Sequence, residues 1–136
     1  MSPQLSVVAP AASGLPVAYG VCEALQARQV SWAERERPGG PLRFRPYLEC
    51  AAGEKVLPVD GLFRTGCKMA ALKALAESNG AHVVGIAVMV YQPSPGAASF
   101  GPAPFYYLAR LDGILYQDAA ACELCKRGVP LELVRR

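Results

Sequence analysis

At 136 residues, with 52% hydrophobic and 18% charged positions, the chain has the size and apolar content of one packed domain, which excludes a disordered segment. Its net charge is +3 with the basic residues scattered, which suits an anionic small molecule and is too weak and dispersed for a nucleic-acid surface. The longest apolar run, Val83 to Tyr91, is too short to cross a bilayer, and the N-terminus lacks a signal peptide's basic region and cleavage site, so a cytoplasmic protein is expected.

Leu5 to Ala9 is a short apolar run closed by Pro10 and reads as a buried strand. Pro10-Ala11-Ala12-Ser13-Gly14 is a turn of small residues, and Pro16 suits the first turn of a helix over Val17 to Ala27, with Ala18, Val21 and Leu25 facing inward. Val30 to Ala33 reads as a strand. Pro38-Gly39-Gly40-Pro41 then breaks regular structure, and Leu42 to Leu48 returns as another strand, which predicts a flexible hairpin or flap. Gly53-Glu54 leads into a strand over Val56 to Val59. A helix over Lys68 to Asn79 follows, with Met69, Leu72, Leu75 and Ala76 on one face and Asn79-Gly80 as its stop. Ala81 to Tyr91 is nearly continuous in apolar residues, the pattern of a strand buried on both faces of a parallel sheet. A proline-rich loop from Pro93 to Pro104 precedes a last strand, Phe105 to Leu111, and an Asp112-Gly113 turn. This alternation predicts one α/β domain with a mainly parallel sheet of four or five strands flanked by helices.

The five cysteines are an odd number, which does not suit a fully paired disulfide framework. Cys22, Cys50 and Cys67 sit in or beside apolar segments and read as buried thiols. Cys122 and Cys125 form one C-x-x-C, half of a zinc site, and the other ligand candidates are three scattered thiols and His82, so a metal centre is not the expectation.

The most informative stretch runs from Glu54 to Met69. An apolar strand reaches Asp60, a short loop ends in Thr65-Gly66, and a helix begins at once. The first amides of a helix lack intrahelical acceptors and its dipole favours negative charge, so this order builds an anion cradle. Thr65 offers a hydroxyl, Gly66 permits close backbone approach, and Arg64, Cys67 and Lys68 complete the candidate phosphate-binding set. Such junctions also occur where nothing binds, and Asp60 could simply cap the following turn. Ala11, Ala12, Ser13 and Gly14 form a second such turn in the same small sheet, which favours anion binding.

Carried over these segments, the sequence resembles the bacterial orotate phosphoribosyltransferases, of the type I phosphoribosyltransferase fold, over nearly its whole length from Val7. Val8 to Ala18 resembles their pyrophosphate loop, and Glu34-Arg35 with Gly39-Gly40 resembles the start of their mobile hairpin. Gly53-Glu54-Lys55-Val56-Leu57 resembles the lead into their phosphoribosyl pyrophosphate signature, and Cys122 to Leu131 resembles their Cys-x-Leu-Cys-x-x-Gly-x-Pro tail. The resemblance implies phosphoribosyl transfer from phosphoribosyl pyrophosphate to orotate or another base in pyrimidine nucleotide synthesis. It implies Mg²⁺ carried by the substrate, with no metal held by the protein, and a homodimer with a shared flap. Asp60 would face the ribose hydroxyls and Arg64 to Lys68 the 5′-phosphate. Ala11 to Gly14 would meet pyrophosphate, and Arg35 or Arg37 would close over it.

The match departs at substrate contacts. Gly61 stands where the family has a second acid, Arg64 where it has a threonine, and Tyr91-Gln92 where it has Asp-Arg. Pro46-Tyr47 replaces an Arg-Gly, Pro58 interrupts the signature strand, and the family's N-terminal hood segment has no counterpart here. These departures imply weakened catalysis and leave open an alternative, a non-catalytic nucleotide- or phosphoribosyl-binding regulator with a degenerate site.

Overall fold

Alternate residues of the first strand face opposite ways, and both directions are apolar, so β1 (Leu5–Pro10) needs cover on both sides. A computed structural model describes residues 5–45, 50–113, 116 and 118–133. In it β1 lies between β2 (Val30–Arg35) and β4 (Lys55–Phe63), parallel to both, with Val7 opposite Val30 and Leu57. Val7, Ala9, Leu57 and Val59 face helix α1 (Leu15–Leu25) and pack on Ala18. Val8 and Val56 point the other way, onto Met69, Leu72 and Ala76 of α2 (Cys67–Ser78). The period-two pattern thus assigns each helix its own face of the sheet.

The remaining strands extend this centre. β3 (Leu42–Phe44) returns antiparallel to β2 as the second arm of the hairpin. β6 (Ile86–Tyr91) runs parallel to β4, and β7 (Phe105–Arg110) runs parallel to β6 at the edge. The two-residue β5 (His82–Val83) pairs with the start of β4, giving seven strands in the order β3-β2-β1-β4-β6-β7 with β5 off the path. The α/β architecture is the one expected, with more strands than four or five.

Several local expectations are corrected. The signature strand does not stop at Val59: pairing of Asp60 with Val88 and of Phe63 with Tyr91 carries β4 on to Phe63. The run from Ala81 to Tyr91 is broken at Val84-Gly85 into β5 and β6, where a Cβ on Gly85 would stand 3.1 Å from the Pro104 carbonyl. It is not buried on both faces either. Ala87 packs against the α1 side, but Met89, two residues on, is exposed because α1 does not reach it. Leu25 is exposed because α1 ends there and Gln26 turns left-handed at φ 50°. Cys67 is exposed and Cys22 half-buried, leaving Cys50 as the buried thiol of the three. Of the strand expected over Leu42 to Leu48, positions 46–48, including Pro46-Tyr47, lie outside the described residues.

Pro58 sits inside β4 yet disturbs no ladder. The β5 ladder ends at Val56 and the β6 ladder begins at Val59, so the proline falls where that edge of β4 changes partner. Glu54, buried just before the strand, accepts from Ser6 Oγ and, at 2.7 Å, from the Ala51 amide, and Arg28 approaches to 3.4 Å. It ties the starts of β1 and β4 together, which gives the Gly-Glu-Lys lead a structural task.

Candidate functional site

From β1 the chain crosses over α1 to β2, and from β4 it crosses over α2 towards β6 on the opposite side. The sheet therefore has its switch point between β1 and β4, where two loops diverge and leave a crevice at the strands' carboxyl ends. The loops bounding it are Ala11–Gly14 after β1 and Arg64–Gly66 after β4, so the two turns singled out in the sequence become neighbours.

The first loop is tightly folded. The Ala11 amide donates to Ala33 O at 2.8 Å and the Gly14 amide to Pro10 O at 3.0 Å, and the Ala11-Ala12 peptide is cis. The Ala12 and Ser13 amides take no acceptor among the described residues. A Cβ on Gly14 would stand 2.8 Å from Pro10 Cδ and 3.0 Å from Val59 O, so this closure needs glycine.

The second loop needs glycine for two reasons. Gly66 has φ 81°, and a Cβ there would lie 2.6 Å from Phe63 Cζ and 2.9 Å from Ala98 Cβ. Its backbone is braced from behind by the proline-rich loop: the Ser94 amide donates to Arg64 O at 3.0 Å and the Ala98 amide to Thr65 O at 2.8 Å. Nothing in that loop's composition announced this bracing. With the carbonyls engaged behind, the amides of Thr65, Gly66 and Lys68 have no acceptor among the described residues. The Cys67 amide donates to Thr65 Oγ1 at 3.3 Å, so the Thr65 hydroxyl helps close the loop. Arg64 is half-buried, and its guanidinium makes no ion pair among the described residues.

Asp60 lies between the loops and is 1% exposed. Its Oδ1 accepts from the Gly61 amide at 2.7 Å and from Ser13 Oγ at 3.1 Å. Its Oδ2 takes no hydrogen bond among the described residues, but Lys68 Nζ stands 3.1 Å away as an ion-pair partner, off the hydrogen-bonding angle. The same ammonium donates to Ser13 Oγ at 3.2 Å. Ser13 of the first loop, Lys68 in the opening turn of α2 and the acid between them thus form one contact group, a pairing that sequence spacing did not disclose.

Two cavities meet at Lys68. One, of about 320 Å³, is lined by Ser13, Asp60, Arg64, Thr65, Gly66 and Cys67. The other, of about 520 Å³, lies between Ala11-Ala12 and the hairpin residues Arg35 and Arg37. Arg35 Nη1 donates to Gly40 O, which ties it to the hairpin tip, while Arg37 is exposed on the cavity wall. The hairpin arms are also joined by the Arg45–Glu34 ion pair at 2.7 Å.

Cys122 and Cys125 lie outside this crevice, at the start of the short helix α3 (Glu123–Lys126). The Cys125 amide donates to Cys122 Sγ at 3.4 Å and holds that thiol below the usual range, and the contact between the two sulfurs raises Cys125. No cluster of three or more metal-ligating side chains occurs among the described residues.

Known proteins share this fold and much of this sequence. An orotate phosphoribosyltransferase of Thermus thermophilus is 38% identical over 128 residues, covering 94% of this chain and 67% of the relative. That of Thermotoga maritima is 36% identical over 127 residues, covering 93% of this chain and 65% of the relative. The chain therefore spans about two thirds of the length of these relatives. No protein-family profile matches. Among solved structures, adenine phosphoribosyltransferase from Thermoanaerobacter pseudethanolicus superposes with a TM-score of 0.65 at 18% identity, over 78% of this chain and 69% of that one. Orotate phosphoribosyltransferase from Aeropyrum pernix gives 0.60 at 23% identity, over 78% and 60%. These two likenesses establish the fold, a type I phosphoribosyltransferase sheet with its crevice at the β1/β4 switch point. Sequence identity across nearly the whole chain narrows the assignment further: this chain belongs to the orotate phosphoribosyltransferase family.

Proposed function

We propose that the crevice binds phosphoribosyl pyrophosphate and transfers its phosphoribosyl group to orotate. One observation carries the reading: two amide-lined loops are brought side by side at the switch point and joined through Ser13, Asp60 and Lys68. In this reading Arg64, Thr65, Gly66, Cys67 and Lys68 hold the 5′-phosphate, with free amides as donors and Arg64 as a bidentate cation. The Ala12 and Ser13 amides in the loop Ala11–Gly14 hold the pyrophosphate, and Arg35 and Arg37 approach it from the hairpin. A ring nitrogen of the base gives its lone pair to C1 of the ribose while the bond from C1 to the pyrophosphate oxygen breaks. The electron pair leaves with pyrophosphate, and the proton of the ring nitrogen passes to solvent. Such a step rests on positioning and on positive charge around the leaving group, with no protein nucleophile.

The donor set does not fit a resident Mg²⁺. Among the described residues Asp60 is the one carboxylate lining the smaller cavity, with Glu34 and Glu36 on the wall of the other; its Oδ1 accepts two hydrogen bonds, and its Oδ2 faces the Lys68 ammonium. Mg²⁺ belongs to this reading as part of the substrate, on its pyrophosphate oxygens. A cytoplasmic homodimer, with the hairpin reaching its partner's crevice, completes the proposal. It is supported by the exposed hairpin arginines. No helix among the described residues is long and apolar enough to cross a membrane.

Incubation with phosphoribosyl pyrophosphate, Mg²⁺ and orotate should convert orotate to its nucleoside monophosphate, followed by chromatography. Asp60→Asn should lower that rate by about a hundredfold or more if the carboxylate orients the ribose. Binding of phosphoribosyl pyrophosphate without turnover of any pyrimidine base would replace the enzyme with a phosphoribosyl-binding protein.

A further inference from the structure

Lys68 stands in the opening turn of α2, directly after the Arg64–Gly66 loop. It places a full positive charge against a buried acid, at the wall common to the two cavities. An ammonium has three donors. One is committed to Ser13 Oγ at 3.2 Å, and the nitrogen stands 3.1 Å from Asp60 Oδ2, while the side chain remains 57% exposed to solvent. Without Lys68, a buried carboxylate would face any diphosphate entering between the loops, and like charges at such range repel strongly. A divalent cation would then be needed to bridge acid and ligand.

We propose that Lys68 is a built-in cation that takes over this bridging charge, so that the crevice binds inorganic pyrophosphate and pyrophosphate-bearing sugars with little need for Mg²⁺. The inference rests on the phosphoribosyl pyrophosphate reading but goes beyond it, because that reading holds whether or not the metal is required for binding. Lys68 contributes through geometry: its Nζ lies between the Ser13 turn and the Asp60 carboxylate, within reach of a ligand on either side. Gly61 supports the same role, since no second acid stands beside Asp60 to claim a metal.

The test is titration calorimetry of inorganic pyrophosphate against the full chain, in Mg²⁺ and in EDTA. The unaltered protein should bind in both, with dissociation constants within about threefold of each other. Lys68→Met should lose about tenfold or more in EDTA and recover most of it in Mg²⁺. Because Lys68→Met leaves a buried charge unpaired and its folding is at risk, Asp60→Asn/Lys68→Met is measured alongside. Removing the acid as well should restore binding in EDTA to within about threefold of the unaltered chain. Equal Mg²⁺ dependence in the unaltered protein and Lys68→Met overturns the proposal. So does failure of the double variant to bind in EDTA, or strict Mg²⁺ dependence of the unaltered chain. Binding of phosphoribosyl pyrophosphate only with Mg²⁺ would sink the built-in cation while sparing the transferase reading. Absence of binding to either ligand in either condition would remove both.

Discussion

Gly14 and Gly66 show how single positions set the crevice. At Gly14 the limit is space, because a Cβ would press on Pro10 and on the Val59 carbonyl, both held by the sheet. Gly14→Ala should therefore cost about 1–3 kcal/mol of stability, read by urea denaturation, and should also weaken pyrophosphate binding. At Gly66 the left-handed backbone and the Phe63 ring act together, and Gly66→Ala should be at least as costly. Gly61 is the opposite case: an added Cβ meets nothing nearer than Ser13 O at 3.8 Å. Gly61→Asp should fold normally and should raise Mg²⁺-dependent binding of phosphoribosyl pyrophosphate in calorimetry, because it returns a second carboxylate beside Asp60. No gain would mean that more of the site than this acid has been lost. Arg64 is not committed to any ion pair among the described residues, so Arg64→Ala should weaken ribose 5-phosphate binding by about tenfold or more through loss of charge-assisted hydrogen bonds. Unchanged affinity would place Arg64 outside the phosphate site.

At the scale of elements, the length of β4 matters most. Because the strand continues to Phe63, its last ring packs beneath the Arg64–Gly66 loop against Tyr91, Phe100 and Phe105, with centroids 5.2–5.9 Å apart. Phe63→Ala should cost about 3–5 kcal/mol and loosen the loop at Gly66 as well. Hydrogen exchange should show the Ser94 and Ala98 amides, which donate to the Arg64 and Thr65 carbonyls, losing protection along with the aromatic cluster. The C-x-x-C element carries a different expectation. A thiol whose folded pKa is lowered becomes thiolate at lower pH, and one whose pKa is raised does so later. Iodoacetamide should therefore label Cys122 before Cys125 as pH rises from neutral, with the order read by peptide mass spectrometry. Simultaneous labelling would mean that the amide contact from Cys125 does not persist in solution.

At the scale of the whole molecule, the sheet divides the work between its two ends. The central strands are buried on both faces and carry the crevice, whereas the edge strand β7 leaves Tyr106, Tyr107 and Leu108 exposed. A bare apolar edge is ordinarily covered in solution. Sedimentation of the full chain should accordingly show self-association, weakened by Leu108→Glu, whose side chain lines neither cavity of the crevice. A monomer at all accessible concentrations would remove the homodimer from the functional reading.

The sequence by itself determined the alternation of strands and helices, the two small-residue turns that flank the crevice, the inward face of α2, that of α1 apart from Leu25, and the family tail. These signals are local: hydrophobic period, helix stops and small-residue turns act within a dozen positions of the chain. It also disclosed Asp60, Arg64 to Lys68 and Ala11 to Gly14 as the residues of interest. What only the tertiary structure decided was where strands end and which side chains meet. β4 runs past Asp60 because β6 pairs with it, and Met89 is left bare because α1 does not extend over it. Lys68 finds Asp60 and Ser13 because the fold sets two loops, far apart in sequence, on adjacent parallel strands. Pairing across a sheet and contact between loops depend on non-local closure, and no window of sequence records that.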